Sequence, residues 1–120
     1  MAISIIQRKS FVFALKIVDL CKRRITSRKK YVMSKQLLRS GTSIGANVRE
    51  GMNAESRRDF INKLSISQKK CDETHYWLEL LQETNYLNNT EFVTSSNDAA
   101  KLLKILRSII LSTKQKGGII

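Results

Sequence analysis

Apolar and small residues recur at Phe60, Leu64, Ser67, Cys71, Thr74, Leu78 and Leu81, alternating steps of four and three that line one face of an α-helix. The pattern predicts a helix of about 28 residues ending at Thr84, or ~42 Å long. Ser56 stands at its start with Asp59 three positions on, a capping-box-like pair that puts a carboxylate at the positive end of the helix dipole. Three more stretches carry a helical period. Before this helix, Leu37, Gly41, Ile44 and Val48 mark one from about Tyr31 to Glu50, with Gly51 placed to end it in a left-handed conformation. Earlier still, Phe11, Ala14, Val18, Cys21 and Ile25 mark a first helix capped by Ser10 and ending near Thr26 and Ser27, while Phe13, Ile17 and Leu20 widen its stripe. After the turn Asn85-Tyr86-Leu87-Asn88-Asn89, a last helix starts near Thr90 with Phe92, Ala99, Leu102, Leu103, Leu106, Ile109 and Ile110 on one broad face.

Composition agrees with this reading. Proline is absent, and no glycine falls between Met52 and Lys116, so the strongest helix breakers are missing from that stretch. No β-branched alternation is sustained and no Asn-Gly or Asp-Gly hairpin turn occurs. The expected fold is all-α, an up-down-up-down four-helix bundle. It divides into an N-terminal segment 1–9, a bundle domain 10–113 and a flexible tail 114–120.

Charge changes the picture most. Up to Arg49 the chain carries twelve Lys and Arg against one acid, Asp19; from Glu50 onward ten basic residues face nine acidic ones. Almost all of the surplus lies in one region, and a concentrated cationic surface attracts polyanions by displacing condensed counterions. The candidate nucleic-acid-binding residues are Lys22, Arg23, Arg24, Arg28, Lys29, Lys30, Lys35 and Arg39. Such side chains hold phosphates and do not read bases, which favours structured RNA recognised by charge and shape.

Catalytic patterns are missing. His75 is a lone imidazole with no Ser, Cys or carboxylate at a telling spacing, Cys21 and Cys71 lack the paired spacing of a zinc site, and no phosphate-binding glycine loop is complete. The carboxylates Asp72, Glu73, Glu79 and Glu83 read as a solvated face. No enzyme activity, cofactor or metal is expected. The two cysteines can pair, but the N-terminal stretch is too broken by Ser4, Gln7, Arg8 and Lys9 for a signal peptide, which points to reduced core thiols in a cytoplasmic protein. No apolar run approaches the ~18 residues of a membrane span.

The least regular stretch is Ser40-Gly41-Thr42-Ser43-Ile44-Gly45-Ala46-Asn47. Each glycine inside a helix costs ~1 kcal/mol relative to alanine, so something compensates. Either Gly41 and Gly45, one turn apart, admit a close neighbouring helix, or Ser43, Asn47 and Glu50 present polar groups to a partner. Tyr76 and Trp77 can stack on unpaired bases, but with Leu80 they form a second apolar face better suited to a subunit interface.

Leu37-Leu38-Arg39-Ser40-Gly41-Thr42-Ser43-Ile44-Gly45-Ala46-Asn47-Val48-Arg49-Glu50-Gly51, followed by Asp59-Phe60 and Tyr76-Trp77-Leu78-Glu79-Leu80-Leu81, resembles the small bacterial four-helix-bundle proteins. Some of these are encoded in intervening sequences of large-subunit ribosomal RNA genes. Relatives include the accessory variability determinant of diversity-generating retroelements, which works with a reverse transcriptase. The resemblance runs from about Ser10 to Thr113 and implies a four-helix protomer in a homopentameric ring. Two features depart from it: Gly45 stands where many relatives have proline, and the first connection reads Lys22-Arg23-Arg24 and Arg28-Lys29-Lys30 where many relatives mix in acids. Two functions follow as expectations. One is an oligomeric accessory protein that binds nucleic acid through its basic surface. The other is a protein-interaction scaffold that docks onto a partner such as a reverse transcriptase.

Overall fold

The computed structural model describes the backbone of residues 2–24 and 28–116 and the side chains of residues 3–23 and 31–116. Four helices account for nearly all of it: α1 (Ala2–Arg24), α2 (Arg28–Met52), α3 (Arg57–Glu83) and α4 (Asn89–Lys116). No strand occurs among the described residues. Among the described residues, the backbones of α1 and α2, α2 and α3, α3 and α4, and α4 and α1 approach closely, and those of the diagonal pairs do not. The helices therefore stand at the corners of a square. A cross-section of 22 × 21 Å and a length of 50 Å fit two helices by two, each about 10 Å across.

The core follows the expected periodicity in three helices. Leu37, Ile44 and Val48 of α2, Leu64, Cys71, Leu78 and Leu81 of α3, and Ala99, Leu102, Leu106, Ile109 and Ile110 of α4 are all buried. In α1 the inner stripe differs from the one expected. Ile6, Phe13, Ile17, Leu20 and Cys21 are buried, whereas Phe11 is 51% exposed. The expected stripe through Phe11, Ala14 and Val18 is its flank, and Ile25 lies outside the described residues. The cause is the helix start. α1 begins at Ala2, not Ser10, so residues 2–9 belong to the bundle and Ile6 sits wholly within its core. Ser10 caps nothing; it is buried mid-helix, its hydroxyl donating to the Gln7 carbonyl at 3.1 Å.

The ends of α3 and α4 are made by side chains. Ser56 is the N-cap of α3 and accepts from the Asp59 amide at 3.0 Å. Asp59 reaches back one residue beyond a standard capping box, accepting from the Glu55 amide at 3.3 Å. Asn88 and Glu91 form the complete reciprocal pair at α4: Asn88 Oδ1 accepts from the Glu91 amide at 2.8 Å and Glu91 Oε1 from the Asn88 amide at 3.0 Å. Between them α3 closes with Asn85 at φ 66°, the Tyr86 amide donating to Leu81 and the Asn85 amide to Gln82. That is a Schellman motif with asparagine in the left-handed position.

Gly51 has no such conformation. It is still helical and buried, and a Cβ there would meet Leu64, Lys63 and Phe60 at 3.5–3.8 Å. Its lack of a side chain serves α2–α3 packing; α2 stops one residue later. The start of the expected tail, 114–116, is helical, and residues 117–120 lie outside the described ones.

Candidate nucleic-acid interface

α1 and α2 carry the basic region, and their mutual packing decides which of its side chains face outward. The pair meets through missing side chains. A Cβ on Gly41 would lie 3.0 Å from Ile17 Cγ2, and one on Gly45 would lie 3.3 Å from the Ser10 carbonyl oxygen. On its other side, the same segment holds α3 through buried hydroxyls. Ser67 donates to the Ile44 carbonyl at 2.9 Å and Thr74 to Ser40 Oγ at 3.1 Å. Small residues let the backbones approach, and hydroxyls satisfy the polar atoms that this approach buries. No buried side-chain N or O among the described residues lacks a partner.

The other polar groups of the segment are held within the protein. Ser43 donates to the Arg39 carbonyl at 2.6 Å and Asn47 to the Ser43 carbonyl at 2.8 Å. Glu50 pairs with Lys63 at 3.2 Å. Gly41 and Gly45 thus face α1, while Ser43, Asn47 and Glu50 are engaged on α2 itself or with α3. Outside Gly45, the residues Phe11, Ala14, Thr42, Ala46 and Arg49 line an α1–α2 groove of about 370 Å³, with the Arg49 guanidinium 5.9 Å from the Phe11 ring centroid.

The eight predicted cations do not behave alike. Lys22, Lys35 and Arg39 are exposed, and among the described residues no carboxylate pairs with them. Lys35 lies 6.0 Å from the Tyr31 ring centroid, and Tyr31 and Val32 are exposed beside it. Arg23 is compensated: Nε lies 3.1 Å from Asp19 Oδ2, and Nη1 lies 3.6 Å from Glu91 Oε2. Helical spacing brings Asp19 to it, and the first turn of α4 brings Glu91. The side chains of Arg24, Arg28, Lys29 and Lys30 lie outside the described residues.

On α3, Tyr76 is 57% exposed and meets Trp77 edge-on at 5.1 Å between ring centroids. Trp77 and Leu80 are half-buried. The indole N–H donates to Glu73 Oε2 at 3.3 Å while Lys70 pairs with the other oxygen of that carboxylate. The widened stripe of α1 also leaves a second apolar face, but its residues are exchanged: Phe13, Ile17 and Leu20 are buried, and Phe11, Val12 and Leu15 are exposed. The signal was the run Phe11-Val12-Phe13-Ala14-Leu15, too continuous for a helix with a single buried stripe.

His75 has more company than its sequence neighbours suggest. Nε2 lies 3.0 Å from Glu79 Oε1 and Nδ1 lies 3.0 Å from Ser96 Oγ, with the Phe92 ring 6.2 Å away. This corrects the reading of an isolated imidazole. Glu79 was available one turn on; Ser96 arrives only because α4 packs on α3. The three residues bridge two helices on the surface. Ser96 lies in the first half of α4, whose backbone amides are committed to helical hydrogen bonds, so they offer no oxyanion site for acyl chemistry. Both cysteines are buried free thiols, with Cys21 donating to the Ser34 carbonyl at 3.5 Å. Burial pushes Cys21 up to about 11 and Cys71 up to about 12, the latter helped by nearby Asp72. Such thiols are poor nucleophiles. Among the described residues, no three His, Cys, Asp or Glu gather as metal ligands, and no helix is long and apolar enough to cross a membrane.

A square of four helices, glycine-tight between α1 and α2 and basic on those two helices, defines a class of small all-helical proteins. The model of the 23S rRNA-intervening sequence protein family matches residues 4–108, and the chain belongs to that family. It is similar to a crystal structure from Bacteroides thetaiotaomicron, described as a protein with unknown function from the S23 ribosomal protein family. The two are 50% identical with a TM-score of 0.88, over 92% of this chain and 98% of that one. No curated protein matches the chain.

Proposed function

We propose that this protein is a non-enzymatic, oligomeric accessory protein that binds nucleic acid, RNA in particular, through a basic surface on α1 and α2. One observation carries the reading: a surplus of eleven positive charges up to Arg49, from which Lys22, Lys35 and Arg39 stand exposed with no acidic partner among the described residues. The resemblance to pentameric relatives suggests a homopentameric ring and a kinship with the retroelement accessory determinant. A ring repeats the basic patch around its axis, so weak contacts add through avidity. Replacing Lys22, Lys35 and Arg39 with Gln is expected to weaken binding to many RNA and DNA sequences by a similar factor. It should also flatten the slope of log affinity against log salt. A wild-type protein that binds neither polymer at low salt would sink the reading.

The exposed apolar faces around Leu15 and Tyr76, at 54% and 57% exposure, favour a second reading: a scaffold that docks onto a protein partner such as a reverse transcriptase. Affinity that hardly responds to salt distinguishes it.

A further inference from the structure

The α1–α4 seam holds a second cationic surface that the sequence reading did not single out. A groove of about 290 Å³ lies between the two helices there, with Val12, Phe13 and Leu102 in its lining. Arg8, Lys9 and Lys16 stand along its α1 side and Lys101 on its α4 side. One acid, Asp98, enters the groove and pairs with Lys16 at 3.2 Å. Among the described residues, no carboxylate pairs with Arg8, Lys9 or Lys101. Further along the same seam the balance changes, because Asp19, Glu91 and Arg23 join it and the cation there is neutralised.

The geometry points to the Arg8–Lys16 end of the α1–α4 groove as a seat for a run of phosphates of a single nucleic-acid strand, separate from Lys22, Lys35 and Arg39. This rests on the nucleic-acid reading above. Unpaired cations on both walls of a concave, partly apolar groove raise the local potential, since low-dielectric walls focus the field. From Arg8 to Lys16 is about 12 Å along the helix, a reach that follows a short run of phosphates of one strand. The apolar lining offers no hydrogen bonds, and Phe13 is buried, so no exposed aromatic face waits for a base. The groove holds backbone without sequence preference. Asp98 opposes it by holding Lys16 and adding a negative charge.

The test uses fluorescent single-stranded RNA and the full chain across a salt series, with light scattering to confirm that each variant keeps the wild-type mass. The triple variant Arg8→Gln, Lys9→Gln, Lys101→Gln is expected to bind roughly tenfold or more weakly at low salt, with a log–log slope shallower by about 2. Asp98→Asn is expected to bind severalfold more tightly, a gain that a merely structural role does not produce. Several results overturn the inference. If the triple variant binds like wild type while the Lys22, Lys35 and Arg39 variant is weakened, the groove is idle and the first surface stands alone. Weaker binding at an unchanged slope assigns the effect to the fold, as does an Asp98→Asn protein that gains nothing. Polyglutamate that displaces the RNA at equal charge gives the groove to an acidic protein. A wild-type protein that binds no RNA removes both surfaces together.

Discussion

Gly41 and Gly51 share one helix, yet alanine should move stability in opposite directions at the two positions. At Gly41 the new methyl meets Ile17, a branched side chain itself buried in the core, at 3.0–3.1 Å. The neighbour has nowhere to go, and overpacking outweighs the ~1 kcal/mol of helix propensity that alanine brings. At Gly51 the nearest atoms lie at an ordinary 3.5 Å and the backbone is helical, so the propensity gain survives. Thermal or urea unfolding should show Gly41→Ala destabilised and Gly51→Ala stabilised by up to ~1 kcal/mol. A left-handed Gly51, as the sequence suggested, would reverse the second result. The thiols give a residue-scale test in pH. Cys21 and Cys71 ionise less readily folded than unfolded, at about 11 and about 12 against an ordinary 9.0. Their contribution is therefore complete below about pH 9 and is lost as pH rises toward the folded values. Ellman's reagent should leave both thiols unlabelled in the native protein and label both in urea; rapid native labelling would contradict the burial.

At the scale of the element, the helix ends give the sharpest expectations. Asn88→Ala removes the acceptor for the Glu91 amide and should cost about 1 kcal/mol. Ser56→Ala should cost a similar amount at the start of α3. Both losses are read by urea unfolding, with the slope unchanged. Asn85 tolerates its positive φ because its short polar side chain suits the left-handed region. Asn85→Val should cost more than Asn85→Gly, since a β-branched residue is strained there. The Ser56 cap was legible because serine, acid and apolar run stood together. Asn88 is equally legible in Asn-x-x-Glu, although it also belongs to the turn-like run Asn85-Tyr86-Leu87-Asn88-Asn89. The start of α1 was not legible in the same way. Ser10 looks like a cap in one dimension, and only the core space around Ile6 shows that the helix continues through it.

For the whole molecule, a lone protomer leaves Phe11, Val12 and Leu15 on α1 and Tyr76 on α3 in water. Burying such faces favours association at ~25 cal/mol per Å² of apolar area before the entropic costs are met. Light scattering at micromolar concentration is expected to report five times the chain mass. A 13.8 kDa species would refute association, and another integer multiple would refute the pentamer. Leu15→Glu and Tyr76→Glu, made separately, should each reduce the mass if its face lies in the interface, while circular dichroism stays helical.

Helix count, the seams of α2, α3 and α4 and the Ser56 cap follow from local physics, because a 3.6-residue period and the shortage of glycine and proline leave the chain few alternatives. Leu37, Ile44 and Val48 face the core for that reason, as do Leu64 to Leu81. The localisation of charge is likewise a property of the chain alone. What each charge meets depends on packing. Arg23 is neutralised because the start of α4 delivers Glu91, and Ser96 reaches His75 from α4. Arg8, Lys9 and Lys101 share one groove because α1 closes the square against α4. These partners are separated by 21 to about 93 positions, far beyond the turn or two over which helical periodicity carries information, so only the tertiary structure could bring them together.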